Sequence, residues 1–326
     1  MGNSILVTGG AGYIGSHVVK QLGLRGESIV VLDNLSSGFA ESVLFGELVI
    51  GETGDRSLVA SLLEKHKIDT EMHFAAHTIV PESVSDPLKY YHNNTCSTQS
   101  LLANCKQAGV KHFIFSSTAA VYGELPSGVA SETTPTAPIN PYGKSKLMSE
   151  WMIRDLCAVS PMSSVILRYF NVAGSDPDCE IGQSTRNATL LIKVACQVAL
   201  GKRESLQVFG TDYPTADGTG IRDYIHVSDL ASAHLAALDY LRSGGDSTIL
   251  NCGYGHGYSV REVIESVSRC HGSPLRVIES PRRAGDPPAL ISNVSAIHNT
   301  LSWKPQYDNL DAIVNTSLAW EKKIAG

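Results

Sequence analysis

The first half of the chain alternates short apolar runs with amphipathic stretches. The apolar runs have the length of strands and end in small or polar residues: SILVTGG, SIVVLD, TEMHFAA, HFIFSS and SVILRYFN. Apolar positions at helical spacing lie between them and predict helices from about Gly12 and near residues 57–66, 88–108 and 142–159. Strands that alternate with helices predict a parallel sheet covered by helices on both faces.

After Asn171 the pattern changes to turn-rich polar sequence, as in GSDPDCEIGQSTRN and GTDYPTADGTG, with one helix near residues 190–200. This change predicts a second, smaller and less regular lobe. Because no linker separates the two parts, we expect the lobes to interleave. The first takes residues 1–171 and about 225–252, and the second takes residues 172–224 and 253–326.

Composition narrows the class of partner. The 326 residues are 43% apolar, which suits a globular core, and the net charge is −6 without any block of basic residues. We therefore expect a small-molecule partner and neither nucleic acid nor a membrane. The absence of a long apolar run or a signal-type start predicts a cytoplasmic protein. Seven scattered cysteines without a CxxC pair argue against a disulfide framework and against zinc.

A glycine-rich segment, TGGAGYIG at residues 8–15, lies between the first predicted strand and the first predicted helix. Gly9, Gly12 and Gly15 would allow a tight turn, close approach to a pyrophosphate and close helix packing. Asp33 ends the next strand, where a carboxylate can bind an adenosine ribose and repel a 2′-phosphate. The alternative is a glycine-rich turn with an exposed aspartate. The context favours NAD and an α/β fold of Rossmann type: a doubly wound parallel sheet with a smaller, interleaved C-terminal α/β lobe for the substrate.

The segment YGKSK places Tyr142 and Lys146 four residues apart directly after Pro141. Proline suits the first turn of a helix, and positions i and i+4 share one helical face. Tyr142 and Lys146 can therefore share a site, although an exposed helix start with solvated side chains is the alternative. The run HFIFSS is followed directly by Thr118, so Ser116, Ser117 and Thr118 lie at the carboxyl end of a strand, where open α/β sheets bind ligands.

These features together resemble the extended short-chain dehydrogenase/reductase superfamily, and within it the UDP-glucose 4-epimerases. The resemblance extends from Leu6 to about Trp320 and rests on TGGAGYIGSH, VLDNLSSG, HFAA, FSSTAAVYG, PYGKSKLMSE, LRYFN and above all GTDYPTADGTGIRDYIHV. It implies inversion at C4 of a UDP-hexose through a transient 4-keto sugar, with NAD reduced and reoxidised within one cycle. It also implies a homodimer formed by the helices at 88–108 and 142–159, with Leu101, Leu102, Leu147 and Trp151 as candidate contacts; the alternative is that these residues pack on the sheet.

In that mechanism Tyr142 takes the proton of the 4-hydroxyl, and Thr118 binds the same oxygen. A tyrosine pKa near 10 must fall to near 7, a change of about 4 kcal/mol. One cation within about 4 to 6 Å shifts a pKa by about 1 to 3, so Lys146 and the positive nicotinamide ring are expected to act together. The catalytic residues implied are Thr118, Tyr142 and Lys146.

The resemblance also assigns binding residues. Those for NAD are Gly9, Gly12, Tyr13, Ile14, Gly15, Asp33, Asn34, Ser37, Asp55, Phe74, Ala75, Ala76, Asn93, Ser116, Tyr142, Lys146 and Tyr169. Those for the UDP-sugar are Thr118, Tyr142, Asn171, Phe209, Arg222, Arg283, Asp286 and Leu290. The alternatives are an ion pair of Arg222 with Asp223, a solvated Arg282–Arg283 pair and a turn-forming Asn171. No histidine pairs at metal-ligand spacing, so no metal is expected.

Departures from the family pattern keep other activities open. Thr118 replaces a frequent serine but keeps the hydroxyl, whereas Thr78 and Leu190 replace polar residues near the cofactor and substrate. Leu290 is of intermediate size at the hexose end, which leaves UDP-N-acetylhexosamines open. The rivals are a nucleotide-sugar dehydratase or decarboxylase, which needs carboxylates where Ala119 and Ala120 stand, and a non-catalytic NAD-binding sensor.

Overall fold

The computed structural model describes residues 4–185, 188–283 and 286–325. Its strands are, in chain order, β1 (Ser4–Thr8), β2 (Ser28–Asp33), β3 (Glu47–Ile50), β4 (Ile68–His73), β5 (His112–Thr118), β6 (Val129–Ala130), β7 (Ser163–Tyr169), β8 (Asn171–Ala173), β9 (Leu206–Phe209), β10 (Ile221–Arg222), β11 (Tyr224–His226), β12 (Thr248–Cys252), β13 (Tyr258–Ser259), β14 (Val277–Ser280) and β15 (Ala289–Ser292).

Seven of these strands form one parallel sheet in the order β12-β7-β5-β4-β1-β2-β3. Successive residues of β1 enter different clusters: Ile5 and Val7 pack in one, and Leu6 packs in another. A strand that is buried on both faces lacks the alternation of a half-exposed strand, which explains the continuous apolar runs of the sequence. The predicted α/β class with a Rossmann-type parallel sheet is confirmed.

Eleven α-helices lie within the described residues. They are α1 (Tyr13–Leu24), α2 (Arg56–Lys65), α3 (Val80–Ser85), α4 (Pro87–Tyr90), α5 (Ser97–Ala108), α6 (Pro141–Ala158), α7 (Leu191–Ala199), α8 (Val227–Arg242), α9 (Val260–His271), α10 (Ser295–Thr300) and α11 (Leu310–Lys323). None of the helices described is long and apolar enough to cross a membrane.

Two predicted boundaries are wrong. The helix expected at residues 88–108 is present as the contiguous α4, a π-helical turn at Tyr91–Cys96 and α5, and only the π turn inside it was not predicted. The strand expected through HFAA ends at His73, where the backbone amides of Phe74 and Ala75 turn back to the Thr8 carbonyl. The run SVILRYFN divides into β7 and β8, and β8 pairs with β11.

The remaining strands form small sheets beside the carboxyl ends of the large one. A four-stranded sheet has the order β13-β10-β15-β6, and β9 pairs with β14. The chain then returns to the large sheet, because β12 lies beside β7. This topology brings residues from both parts of the sequence to one edge. The functional division into two lobes at the boundaries given above stays a prediction.

Candidate active site

The glycine turn between β1 and α1 has no space for side chains. A Cβ on Gly9 would lie 2.4 Å from the Ala75 amide nitrogen, and Gly9 has a φ of 77°. A Cβ on Gly15 would lie 2.3 Å from the Gly9 carbonyl oxygen. Gly12 is the N-cap of α1, and no side chain caps this helix. Its amino end therefore offers amide donors and a partial positive charge, which fits the pyrophosphate of a dinucleotide.

Asp33 lies beside this turn at the end of β2. Its carboxylate accepts hydrogen bonds from the amides of Ala11, at 2.9 Å, and Leu35, at 2.8 Å. These bonds hold the carboxylate at the edge of the turn. Asn34 donates to Glu52, and Asp55 caps α2. The roles of Asp33, Asn34 and Asp55 in cofactor binding stay predictions, as does that of the exposed Ser37.

Other residues expected at the cofactor gather at the same sheet edge. Phe74 packs on the His234 ring with a centroid distance of 4.8 Å, and Tyr169 also faces that ring. The Ser116 and Tyr169 hydroxyls are in hydrogen-bond contact. Tyr13 begins α1 and donates to the Gly174 carbonyl at 2.7 Å, which connects the turn to the loop after β8. Ile14 and Gly15 follow in α1, Ala75 and Ala76 follow β4, and Asn93 lies in the π turn.

Thr118 and Tyr142 meet where β5 ends and α6 begins. Asn140 caps α6 by accepting from the Gly143 amide, and Pro141 occupies the first turn, so Tyr142 leaves the helix at its amino end. Burial raises the pKa of the Tyr142 phenol, while a hydrogen bond with Thr118 acts in the opposite direction. In the protein alone, therefore, the phenol is not yet a base near pH 7. The combined effect of Lys146 and NAD stays a prediction.

Lys146 lies one turn further along α6 and is buried. Its Nζ lies 4.3 Å from the centre of the Phe115 ring, a cation–π contact. Burial lowers the pKa of Lys146 to about 7, and the charge of Glu150, another turn along, opposes this. The charge of Lys146 at neutral pH therefore depends on the Glu150 carboxylate.

Glu150 belongs to a buried polar cluster that sequence patterns do not indicate. Arg168 on β7 binds its carboxylate through Nε at 3.0 Å and Nη2 at 2.5 Å, and the Ser117 hydroxyl also contacts it. Arg168 donates in addition to the Tyr122 hydroxyl, which donates to Asn251 on β12. The cluster ties α6 to β5 and β7 next to Thr118. Two features of the sequence could have indicated this cluster: the arginine inside the apolar run VILRYF, and the glutamate four residues after Lys146.

A second group lies near the ends of β9 and β14. The Arg283 guanidinium lies 3.8 Å from the centre of the Phe209 ring. Tyr213, which the sequence did not single out, donates to the Asp286 carbonyl at 3.4 Å, and Arg282 stacks on its ring. Arg282 also forms an ion pair with the exposed Asp212. For Arg282 this agrees with the alternative given above, a charge at the protein surface. The structure thus brings Phe209, Arg283 and Asp286 together.

Arg222 does not pair with its neighbour Asp223. The Asp223 carboxylate accepts hydrogen bonds from the Ser292 hydroxyl and from the Tyr254 backbone amide. These bonds take the place of the ion pair between Arg222 and Asp223 that the sequence left as an alternative. Arg222 lies opposite Leu290 in the parallel register of β10 and β15. Leu290 packs against a core cluster that includes Ala119 and Leu147, which follow Thr118 and Lys146 in sequence.

Asn171 begins β8 and donates its amide to the Asp223 carbonyl at 3.0 Å. Its side chain and Leu190 line a small cavity of about 20 Å³ between β8 and α7. The hydrogen bond to Asp223 connects Asn171 to the residue that directly follows Arg222 at the end of β10. Besides Thr118 and Tyr142, the residues assigned to a nucleotide-sugar from the sequence thus lie in two groups: Asn171, Arg222 and Leu290 on β8, β10 and β15, and Phe209, Arg283 and Asp286 near the ends of β9 and β14. Their binding role stays a prediction.

Comparisons with known proteins agree with this arrangement. The NAD dependent epimerase/dehydratase family matches residues 5–253. A UDP-glucose 4-epimerase of Azospirillum brasilense is 52% identical over 321 residues, which are 98% of this chain and 92% of the relative. The crystal structure of UDP-glucose 4-epimerase from Brucella ovis in complex with NAD has a TM-score of 0.95 and 42% identity, covering 97% of this chain and 98% of that one. The UDP-Glc/GlcNAc 4-epimerase from Campylobacter jejuni has a TM-score of 0.87 and 51% identity, covering 99% and 100%.

Proposed function

The chain belongs to the NAD dependent epimerase/dehydratase family, and from that premise we propose that it is an NAD-dependent UDP-glucose 4-epimerase that interconverts UDP-glucose and UDP-galactose. The observation that carries the proposal is the meeting of Thr118 and Tyr142 where β5 ends and α6 begins, in a chain that is 52% identical to a UDP-glucose 4-epimerase over nearly its full length. The seven-stranded sheet supports the same conclusion.

NAD is the cofactor, and the residues of the turn fit it. The amides at the start of α1 would bind its pyrophosphate, and Asp33 would bind its adenosine ribose. When bound, NAD would supply a hydride acceptor at C4 of the sugar and, once reduced, a hydride donor to the same carbon, so the cycle would leave no net oxidation. Phe74, Ser116 and Tyr169 lie at the edge of the sheet where the other end of the dinucleotide would extend.

Tyr142 would remove the proton of the sugar 4-hydroxyl and later return it. Thr118, which contacts the phenol, would bind the same sugar oxygen and help to move the proton. Lys146 would stabilise the phenolate. The cationic groups of the second part of the chain would hold the diphosphate, since a guanidinium binds phosphate through two hydrogen bonds. With the nucleotide fixed and the hexose loosely held, the 4-keto sugar can turn and present its other face.

The rival activities have less support. The residues that follow Thr118 are Ala119 and Ala120, in a short 3₁₀ turn. Neither can donate a proton, and elimination of water from a nucleotide-sugar requires a general acid at the reacting carbons. A non-catalytic sensor needs no arrangement in which Tyr142 contacts Thr118. Turnover on UDP-galactose separates a sensor from an enzyme.

NAD retention tests the cofactor assignment without any activity assay. Because the cycle regenerates its own NAD, we expect protein purified without added nucleotide to carry it. Acid extraction followed by chromatography should recover NAD. Recovery of NADP, or of no nucleotide from folded protein, would contradict the roles given to Asp33 and the glycine turn.

Leu290 is proposed to set the space beside C2 of the hexose. The Campylobacter jejuni relative is named for both UDP-Glc and UDP-GlcNAc, and we propose that this chain also accepts UDP-N-acetylglucosamine. Leu290→Tyr should then reduce kcat/KM for the N-acetyl substrate selectively, by roughly 10- to 200-fold as expected for a filled pocket. Leu290→Met, of similar volume, should leave the ratio of the two substrates nearly unchanged. An equal loss on both substrates after Leu290→Tyr would show that this residue is not the gate.

We propose a homodimer, but the contacts expected from the sequence need correction. Leu101, Leu102 and Leu147 are buried in the protein's own clusters, because helices that cover a sheet turn their apolar face inward. Only Trp151 of the four is exposed, at 50%. Other exposed apolar side chains lie on α6 itself and on α3 and α4, which pack against α6: Met148, Val84 and Leu88. This surface is the proposed dimer contact.

Trp151→Arg should therefore dissociate the dimer, since a charge in an apolar contact loses its hydration. Light scattering should then give the mass of one 34.9 kDa chain instead of two. Leu24→Arg is the control, because Leu24 is also exposed, at 68%, but lies at the end of α1, which packs in the other core cluster, on the opposite side of the sheet. A monomeric parent protein would refute the dimer. The assignment to the cytoplasm, expected from the sequence, is likewise part of the proposal.

A further inference from the structure

Glu71 occupies an unusual place for an acidic residue. It lies in β4, the central strand of the seven, and is fully buried. Its register neighbours are Leu6 on β1 and Phe113 on β5. Glutamate is almost never fully buried without a partner, and central parallel strands are normally apolar. No ion pair to Glu71 is present among the residues that the structure describes. The proposed mechanism does not use it.

A chain of short polar contacts begins at Glu71. Its Oε1 lies 2.7 Å from the Thr8 hydroxyl, which lies 2.7 Å from Nδ1 of His73. Nε2 of His73 lies 2.9 Å from the Thr98 hydroxyl, and that hydroxyl lies 2.7 Å from the Asn94 carbonyl oxygen. Thr8 immediately precedes the glycine turn. The chain thus connects the turn to α5 and to the π turn.

The number of protons available in this series of contacts fixes which group donates and which accepts in each hydrogen bond. A carbonyl oxygen can only accept, so Thr98 must give its one hydroxyl proton to Asn94. Nε2 of His73 must then donate to Thr98, which leaves Nδ1 of a neutral imidazole as an acceptor. Thr8 therefore donates to His73, and its only proton is used. The remaining contact requires Glu71 to donate to Thr8, and a carboxyl group donates only when it is protonated.

A charged His73 beside an ionised Glu71 would satisfy the same contacts, but the surroundings oppose it. Burial and the charge of Lys146 lower the pKa of His73 to about 3. The second oxygen of Glu71 has no hydrogen-bond partner within the described chain, and a buried anion with a free oxygen is far costlier than a neutral acid. From α5, only the Cys105 thiol faces Glu71 as a titratable group; burial, and then the Glu71 charge, raise its pKa. Burial raises the pKa of Glu71 to about 8.

We propose that Glu71 is a neutral carboxylic acid in the folded protein and a positioning residue, because its proton orients Thr8, His73 and Thr98 between the glycine turn and the active-site helices. The assignment of the proton rests on these contacts, on the burial of Glu71 and His73, and on the second Glu71 oxygen that has no partner within the described residues. The claim about positioning rests on the proposed function, since it concerns the turn that would bind NAD.

Loss of the Glu71 proton reverses the donors and acceptors in the hydrogen bonds from Glu71 to Thr98. An ionised Glu71 accepts from Thr8, so His73 must donate from Nδ1 and accept at Nε2. Thr98 must then give its proton to His73 and release the Asn94 carbonyl, which also accepts from Ser149 on α6 at 2.9 Å. Deprotonation at the centre of the sheet is thereby transmitted to the helix that carries Tyr142 and Lys146.

Infrared spectroscopy of the parent protein tests the proton directly. At pH 7 we expect the carbonyl stretch of a protonated carboxylic acid, absent in Glu71→Gln and lost from the parent as the pH rises through about 8. If the parent shows no such band at pH 7, Glu71 is ionised and the proposal is wrong. This measurement needs neither substrate nor NAD, so it does not depend on whether the enzyme is an epimerase.

Glu71→Gln supplies the matched variant, because its amide donates to Thr8 as the acid does but cannot ionise. The folded pKa of Glu71, about 8, exceeds the ordinary value of 4.5, so the parent loses stability as the pH rises from about 4.5 through about 8. The ratio of the unfolding constants of parent and variant should thus rise by up to about tenfold per pH unit in that window. Equal pH dependence, or a variant that fails to fold, would contradict the neutral acid.

NAD retention tests the positioning role. At pH 9 about ten ionised Glu71 residues exist for each protonated one, given a pKa of about 8. We expect the parent to release NAD up to about tenfold faster at pH 9 than Glu71→Gln does, with equal rates at pH 6. Equal release at pH 9 would overturn the positioning role, and absence of NAD from both proteins at pH 6 would instead contradict the proposed function.

Discussion

Tyr142→Phe should fold, retain NAD and lose nearly all turnover of UDP-galactose. The substitution removes only the phenolic oxygen and keeps the ring, which packs edge-on against Tyr90 at a centroid distance of 6.5 Å. A positioned acid–base group typically contributes about 10²- to 10⁴-fold to the rate, and we expect a loss in that range. Thr118 keeps a path for the proton to the reacting oxygen, so a residual rate should remain.

The controls separate chemistry from folding. Tyr240→Phe removes a ring hydroxyl from α8, outside the residues assigned to the site, and should leave the rate unaltered. The NAD content and the unfolding midpoint of Tyr142→Phe should match those of the parent. A Tyr142→Phe protein that turns over UDP-galactose at the parental rate with NAD bound would exclude Tyr142 as the base.

Glu150→Gln should cause the largest loss of stability. The change leaves the buried Arg168 guanidinium without its counter-charge, and breaking a buried ion pair on one side typically costs about 3 to 5 kcal/mol. It also removes the anion that opposes the lowering of the Lys146 pKa, so Lys146 should lose its proton at lower pH. Urea unfolding would measure the stability. In the folded fraction, the alkaline limb of the pH–rate profile should move to lower pH.

A surface pair gives the matched control. Arg261 and Glu279 form an ion pair with 45% and 60% of their side chains exposed. Glu279→Gln removes the negative partner of this exposed pair, as Glu150→Gln does in the buried pair. Because surface ion pairs contribute about 0 to 1 kcal/mol, the free energy of unfolding should fall by no more than that. Glu150→Gln/Arg168→Gln removes both buried charges, which should recover stability but not the position of the alkaline limb. If the double variant recovers both, Glu150 acts only through packing.

The parts of the fold that the sequence predicts are local. Continuous apolar runs identify strands buried on both faces, and the run SILVTGG before a helical pattern identifies the glycine turn. The helix from Pro141 is predictable because its cap, its first-turn proline and its apolar spacing lie within a few residues of one another. Each of these signals arises from neighbouring residues, so no knowledge of the tertiary structure is required.

The features that the sequence leaves open depend on distant residues. Arg168 and Glu150 are partners only because β7 and α6 pack together, and Glu71 meets Thr8 only across paired strands. Three of the four predicted dimer contacts are buried within the chain for a related reason: Leu101 and Leu147 have the periodicity of an apolar face, but periodicity does not tell whether that face meets the protein's own core or a second chain. The π-helical turn at Tyr91–Cys96, inside an otherwise α-helical segment, likewise has no local signature.

The most direct measurement is the conversion of UDP-galactose by the purified parent protein without added NAD, followed by nuclear magnetic resonance of the sugar. Inversion at C4 should give UDP-glucose until the two sugars reach equilibrium, approached from either side. Deuterium at C4 should stay on C4, because the hydride leaves and returns within one site. Absence of UDP-glucose from NAD-containing protein, or loss of the C4 deuterium to solvent, would contradict the epimerase mechanism.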